Sequence, residues 1–316
     1  MSPTPEEVAR VEAELAATSA EVARLPRPAL EALAPVLAQA QRETAQGLRS
    51  WIERADGESR YTAQSHRAVL AHLDRAIATV ASLDPTLAEA LRRGGAAAGA
   101  MAGQHVSTEI ARYAQTFGGE VPRVPLNVAR IVATGERSLV PRFRSSAARY
   151  AGNVGADIRR ELAVGLLRRE SVDEMVARLA RIGGPRGAVA LRGVVGDPGA
   201  VVEHISEGLF ARYRAWGERL VRTELQQAYN VQVDASLHEA REAIPDLKRR
   251  WDASGDLRLC PRCAELHGSV AGLDEPFSGD VMSAPLHPHC RCRVGAWRDA
   301  WSSHFQAAAA GRSPAQ

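Results

Sequence analysis

The chain has four cysteines, Cys260, Cys263, Cys290 and Cys292, and all stand in the last fifth of its 316 residues. A C-x-x-C pair places two thiolates on one tight turn, at the spacing a tetrahedral metal ion needs. The second cluster, His287-Pro288-His289-Cys290-Arg291-Cys292, adds two thiols and two imidazoles. A module of about fifty residues has little core of its own. Metal binding offsets that shortfall, because its free energy becomes folding free energy. The pattern predicts a small zinc-stapled α+β module over 246–300 with one structural Zn²⁺ per chain. Cys260, Cys263 and Cys290 are expected ligands, with either Cys292 or His287 as the fourth. His267 and His289 are expected to stand by or to orient the ligands. A catalytic zinc keeps an open position and a general base beside it. One carboxylate near the first pair, Glu265, is weak support for that, so the module reads as structural and the chain as no enzyme.

Composition frames the rest. Hydrophobic residues make up 45% of the chain, which excludes wholesale disorder. Aromatics are only 5% and alanine is abundant, which favours helix over sheet. The net charge of +3 is mild for a dedicated nucleic-acid binder. Lys248 is the single lysine, so the arginine excess is a bias of the whole chain and no single arginine carries weight from it. No apolar run reaches the roughly 18 residues of a membrane span. The start, MSPTPEEVARVEAEL, is acidic and helix-like and lacks the pattern of a secretion signal. Folding in a reducing cytoplasm is expected, which disfavours disulfides among the four thiols.

Apolar periodicity predicts helices over 5–25, 29–55 and 62–82, and a fourth opening with Asp84 as N-cap and Pro85 at the first position. The small-residue run 94–103, with Gly95, Gly99 and Gly103 four apart, reads as a close helix crossing or a flexible joint. Helix resumes over 104–117. Two prolines in 118–127 mark a boundary. The arginines of 122–150 read as a solvated face ahead of a DNA patch. Ser171 and Glu174 form a capping box for a helix ending at Gly183-Gly184-Pro185. A loop over 183–200 leads to a long helix over 201–243, and short strands are expected near 248–252 and 291–297. The fold class is therefore mainly α: a multi-helix N-terminal and central region followed by the small α+β module. The divisions are a helical region 1–120, a helical core 121–245, the module 246–300 and a flexible tail 301–316.

One set of residues runs in an order that resembles a known family. Arg222-Thr223-Glu224 lies on the long helix. Trp251, Asp256, Cys260, Cys263, Leu266, Gly268 and Phe277 follow, then Pro285 and His287-Pro288-His289-Cys290-Arg291-Cys292. This order is similar to the phage head morphogenesis family typified by the F protein of phage Mu, over roughly 150–298. Where the family often has glycine, this chain has Glu170. The resemblance implies a minor capsid protein of the virion head. It further implies association with the portal protein and other head proteins, and a part in DNA delivery. Pro288 and Arg291 belong to its terminal motif. Arg222 and Glu224 are expected to make buried ion pairs that dock the zinc module.

Three rival functions each match part of the sequence. A zinc-scaffolded nuclease of the HNH type needs asparagine or further histidine groups, and no asparagine follows Asn230. An ADP-ribosyltransferase needs a Glu/Gln-x-Glu pair, and Glu12-x-Glu14 sits on a plain surface-helix pattern. A zinc module that binds DNA without catalysis would use Arg249, Arg250, Arg258, Arg262, Arg291 and Arg293 against phosphates. Non-specific contact with packaged DNA is compatible with a head protein.

Overall fold

The computed structural model describes residues 4–52, 60–81, 85–117, 128–182, 198–254 and 259–301. The Pro-rich break at 118–127, most of the loop at 183–200, the tail from 302, Asp84, Asp256 and Arg258 lie outside the described residues.

Among the described residues the chain is mainly helical, with one small sheet. Its elements are α1 (Pro5–Val22), α2 (Arg27–Ile52), α3 (Ala63–Ala81), α4 (Pro85–Phe117), α5 (Val128–Arg168), α6 (Val172–Ile182), α7 (Pro198–Arg241), β1 (Lys248–Asp252), α8 (Pro261–Leu266), β2 (Val270–Gly272) and β3 (Arg293–Trp297). No helix among the described residues is long and apolar enough to cross a membrane. Contacts divide the chain into two compact units of interleaved segments. One comprises Met1–Pro28, Leu91–Val140 and Val221–Gln316, the other Ala29–Ala90 and Pro141–Leu220. The linear divisions at 120, 245 and 300 are a different kind of statement, about which segments fold alone, and stay a proposal.

Local chemistry explains the helix starts. In α1 the Thr4 hydroxyl accepts from the Glu7 amide at 3.2 Å, and the Glu7 carboxylate accepts from the Thr4 amide at 2.7 Å. Two of the helix's free amides are satisfied reciprocally. The Ser171–Glu174 box repeats the device at α6, at 2.8 and 3.2 Å. The small-residue run does not interrupt α4, which is a single 33-residue helix. Gly94 is a crossing point rather than a joint: a Cβ there would lie 2.9 Å from a methyl of Leu225 on α7.

In the first unit, Ala98, Ala102, Val106 and Ile110 recur every four residues and turn one stripe of α4 into the core. Ala228, Tyr229, Val233, Leu237 and Ala240 of α7 join them in the same cluster. That cluster continues through Trp251, Leu266, Phe277 and three of the cysteines. The sheet has the order β2-β1-β3, antiparallel throughout, with Arg249 opposite Ala271 on one side and Ala296 on the other. The strand expected over 291–297 starts at Arg293. β2 and α8 were not anticipated, because three and six residues are too few to show a period.

In the second unit, the end of α5 has a cap that sequence reasoning missed. The Glu170 amide bonds the Gly165 carbonyl at 3.0 Å and the Arg169 amide the Leu166 carbonyl at 3.1 Å. This is the Schellman pattern, and Arg169 occupies its left-handed position at φ 54°. Glycine is the residue that pays nothing there. Arg169→Gly is expected to stabilise the protein by about 1 kcal/mol, read as a higher urea midpoint at unchanged slope. A midpoint at or below wild type would contradict the cap. Glu170 has a separate task. Its carbonyl accepts from the Tyr61 amide at 2.8 Å, and its carboxylate pairs with Arg178, which also holds Glu161 at 3.0 Å.

Candidate metal centre

The first ligand pair is built by α8. Cys260 is the N-cap of this helix and Pro261 its first residue. Proline there lacks only an amide that would have no partner in the helix anyway. The Cys260 sulfur accepts the Cys263 amide at 3.3 Å, so the cap itself turns both thiols to one side. Gly268 follows the helix at φ 77°, and its amide bonds the Trp251 carbonyl at 2.9 Å. Trp251 is fully buried and meets Phe277 edge to face at 5.6 Å. These contacts fix α8 against β1.

The second pair is built by the turn His287-Pro288-His289-Cys290. The Cys290 amide bonds the His287 carbonyl at 3.0 Å, and His289 takes φ 62°. Proline second and a left-handed residue third is the pattern of a type II turn. It brings His287 and Cys290 to the same side.

Five ligand atoms meet in two overlapping triplets: Cys260, Cys263 and His287, and Cys263, Cys290 and Cys292. The His287 Nε2 lies 3.2 Å from the Cys260 sulfur and 3.4 Å from that of Cys263, and the Cys263 and Cys290 sulfurs are 3.8 Å apart. A tetrahedral zinc at its usual bond lengths spaces its ligand atoms about 3.6 Å (S to N) and about 3.8 Å (S to S) apart. The donor set and spacing therefore fit a zinc ion. The His287 Nδ1–H donates to the Pro288 carbonyl at 2.8 Å, which leaves the Nε2 lone pair facing the sulfurs. All four cysteines are free thiols. They hold their protons unevenly. Hydrogen bonding from Cys292 brings the Cys290 thiol down to about 5, against the opposing effect of burial. Burial pushes Cys263 up to about 12. The cluster can hold a metal; a bound ion would neutralise the thiolates and cross-link α8 to the His287–Cys292 segment.

The other family-motif residues fall in different places. Arg222 is exposed, so the buried ion pair expected of it is not there, and Glu224 is half-buried. The Thr223 hydroxyl accepts the His289 amide at 3.4 Å. Pro288 is exposed and Arg291 half-buried. Sequence reasoning missed Gln226 and Asn230 of α7. Gln226 donates to the Cys292 carbonyl at 2.8 Å, and Asn230 donates to the same carbonyl at 3.4 Å while accepting the Val294 amide at 2.9 Å. Their spacing from Thr223, three and seven residues, is the signal that would have placed them on its face.

Three of the six arginines expected to face phosphates are instead in the interior. Arg249, Arg250 and Arg293 are buried. Arg249 holds Asp234 at 3.1 Å and the Met282 carbonyl at 2.8 Å. Arg250 lies over the Trp297 ring and pairs with Asp252 at 3.2 Å. Arg293 pairs with Glu109 and, at 3.0 Å, with Asp252. Of the six, Arg262 is exposed.

The loop after β2 is clamped to α7. The His238 Nδ1–H donates to the Asp234 carbonyl at 2.8 Å and the Nε2–H to Asp274 at 3.1 Å, while Arg241 holds the other Asp274 oxygen at 2.6 Å. Partial burial works against the imidazolium. The bond to the Asp234 carbonyl and the Asp274 carboxylate outweigh it, so the His238 pKa is raised. A raised folded-state pKa contributes stability that is complete below the unfolded value of about 6.5 and is lost as pH rises through the folded value. The melting-temperature gap between wild type and His238→Gln is therefore expected to be widest below about pH 6 and to close above neutrality. A gap that widens with pH would refute the assignment.

A mainly helical chain closed by a Cys/His-rich module with a candidate structural metal centre is the class that this fold and site define. Residues 156–295 match the model of the family described as Phage Mu protein F like protein. The resemblance read over roughly 150–298 is thereby borne out for that segment, which contains all five candidate ligands. Neither the curated proteins nor the solved structures provide a match to the chain.

Proposed function

We propose that this chain is a minor capsid protein of a tailed bacteriophage, acting in head morphogenesis at the portal and carrying one structural zinc. The carrying observation is that the segment matching the Mu F-like family ends on the Cys/His cluster, whose spacing suits a tetrahedral ion. The virion head is then its location, with the portal protein and other head proteins as partners. Cys260, Cys263, His287 and Cys290 are the favoured ligands, because the His287 imidazole already presents its free nitrogen to the first pair. Cys292 is the fifth donor, its sulfur grouped with those of Cys263 and Cys290.

The test is co-expression with the portal protein of the same phage, followed by size-exclusion chromatography and zinc analysis of the shared peak. Co-elution with about one zinc per chain supports both halves of the reading. Folded protein eluting apart from the portal removes the portal role. Magnesium-dependent cleavage of plasmid DNA by the purified chain would replace the structural reading with a nuclease.

One observation favours contact with packaged DNA as a second role. Along α5 from Pro141 to Arg168, the exposed residues among those described include Arg144, Arg149, Arg160 and Arg168, with Arg159 paired to Asp74 of α3, and none of the described exposed residues of the stretch is acidic. Such a face attracts phosphates without reading bases. Binding to duplexes of unrelated sequence should fall steeply and equally with salt. Salt-independent binding, or none at low salt, would dismiss it.

A further inference from the structure

The metal site has two halves, and they are anchored differently. α8, fixed against β1, carries Cys263 and has Cys260 as its N-cap. The segment from His287 to Val294 carries the rest and lacks regular structure before β3. Such a segment, left to itself, would have to be ordered by the ion.

It is instead held by α7. Thr223, Gln226 and Asn230 lie within one narrow arc of that helix, since steps of three and four residues return to the same face. Asp234 continues the arc and takes Arg249 of β1. The three residues bond main-chain groups on both sides of Cys290. Thr223 accepts the His289 amide, which precedes it. Gln226 and Asn230 donate to the Cys292 carbonyl, and Asn230 closes on the Val294 amide. Gln226 and Asn230 are buried, 6% and 0% exposed, where an unmade hydrogen bond is costly. Bonds to the main chain fix the path of the segment whatever its side chains do. Cys290 is thus positioned beside Cys263 by atoms of another element.

Resting on the metal reading above, we infer that the Thr223–Gln226–Asn230 face of α7 is the positioning element of the second half-site, and that metal affinity depends on it although none of the three residues is a ligand. Residues that orient metal ligands from outside the coordination sphere typically carry 10- to 100-fold of affinity.

The experiment uses the full-length protein, reduced, with Zn²⁺ affinity measured by chelator competition and the site read with Co²⁺. Thiolate-to-cobalt charge transfer counts the sulfurs on the ion. Gln226→Met keeps the volume and removes the donor. Asn230→Asp keeps the acceptor for Val294 and removes the donor to Cys292. Thr223→Val keeps the shape and removes the acceptor. Arg222→Ala, exposed on the same helix, is the control. We expect a 10- to 100-fold loss of Zn²⁺ affinity in the Gln226 variant, weaker charge transfer per bound cobalt, and smaller losses in the other two. The control should match wild type. A merely structural role would lower the melting temperature of the metal-free protein and leave affinity and spectrum in place. That result in the folded variants overturns the inference. If Gln226→Met does not fold, the half-buried Thr223→Val decides by the same two readouts. Wild-type protein that takes up neither ion would instead overturn the metal reading, and this inference with it.

Discussion

Stripping the metal from reduced protein with a strong chelator is expected to lower its melting temperature by roughly 10 °C. An ion present at a thousand times its Kd adds about 4 kcal/mol to the folded state. In a chain of this size, each kcal/mol is worth roughly 2–4 °C. The loss should be partial rather than complete. Cys263, Cys290 and Cys292 belong to the same buried cluster as Ala98, Val106, Tyr229 and Leu237, so α4 and α7 support the module without the ion. Single substitutions should rank by their place in the two triplets. Cys263 belongs to both, and Cys263→Ser should abolish stoichiometric zinc and reproduce the effect of the chelator. His287→Ala should remove most of the affinity. Cys292→Ala should remove little if His287 is the fourth ligand, and the reverse order would exchange their roles. A chelator that extracts zinc without moving the melting temperature would show that the ion does not staple this fold.

How much of this could be read from the sequence depended on the range of the interaction. Repeated apolar spacing made α1 to α4 and α7 readable, each starting within about three residues of its expected position, whereas the first half of the 41-residue α5, rich in arginine, showed no such spacing. Ser171 and Glu174 were readable as a cap because both partners lie within one turn. The cysteine pairs were readable because metal ligands keep fixed spacings. What stayed hidden was decided at long range. Thr223 was singled out from its triplet, but nothing in the sequence indicates that its oxygen faces the His289 amide 66 residues on. Arg249, Arg250 and Arg293 looked like phosphate ligands because basic residues are usually exposed. The burial of Arg293 depends on Glu109, 184 residues before it, and that of Arg249 on Asp234 and the Met282 carbonyl. The left-handed residue after α5 was hidden for a different reason: arginine does not advertise a position that glycine would.

Arg293→Met is expected to cost about 3–5 kcal/mol, close to the largest loss any single substitution outside the metal site should give. Arg293 is 1% exposed and stands between two carboxylates, Glu109 on α4 and Asp252 on β1. Arg250 completes the group on the far side of Asp252, so two positive and two negative groups alternate in the interior. Burial alone would push the Glu109 carboxyl upward towards its neutral form, and the Arg293 guanidinium opposes that. The other Glu109 oxygen accepts the Ala296 amide at 3.2 Å, which ties α4 to β3. Methionine fills much of the arginine's volume but leaves the buried Glu109 carboxylate without its guanidinium, near Asp252, which keeps Arg250. The cost is that of an uncompensated buried charge rather than of a lost attraction. The paired change makes the distinction measurable. Adding Glu109→Gln to Arg293→Met removes the orphaned charge and keeps an acceptor for Ala296. The double variant should therefore be more stable than the sum of the single losses, with a coupling of about 1–3 kcal/mol in urea unfolding. Additive losses would mean that the two side chains do not act on each other. The ion pair would then be a result of how α4 packs on the sheet, not part of what holds it there.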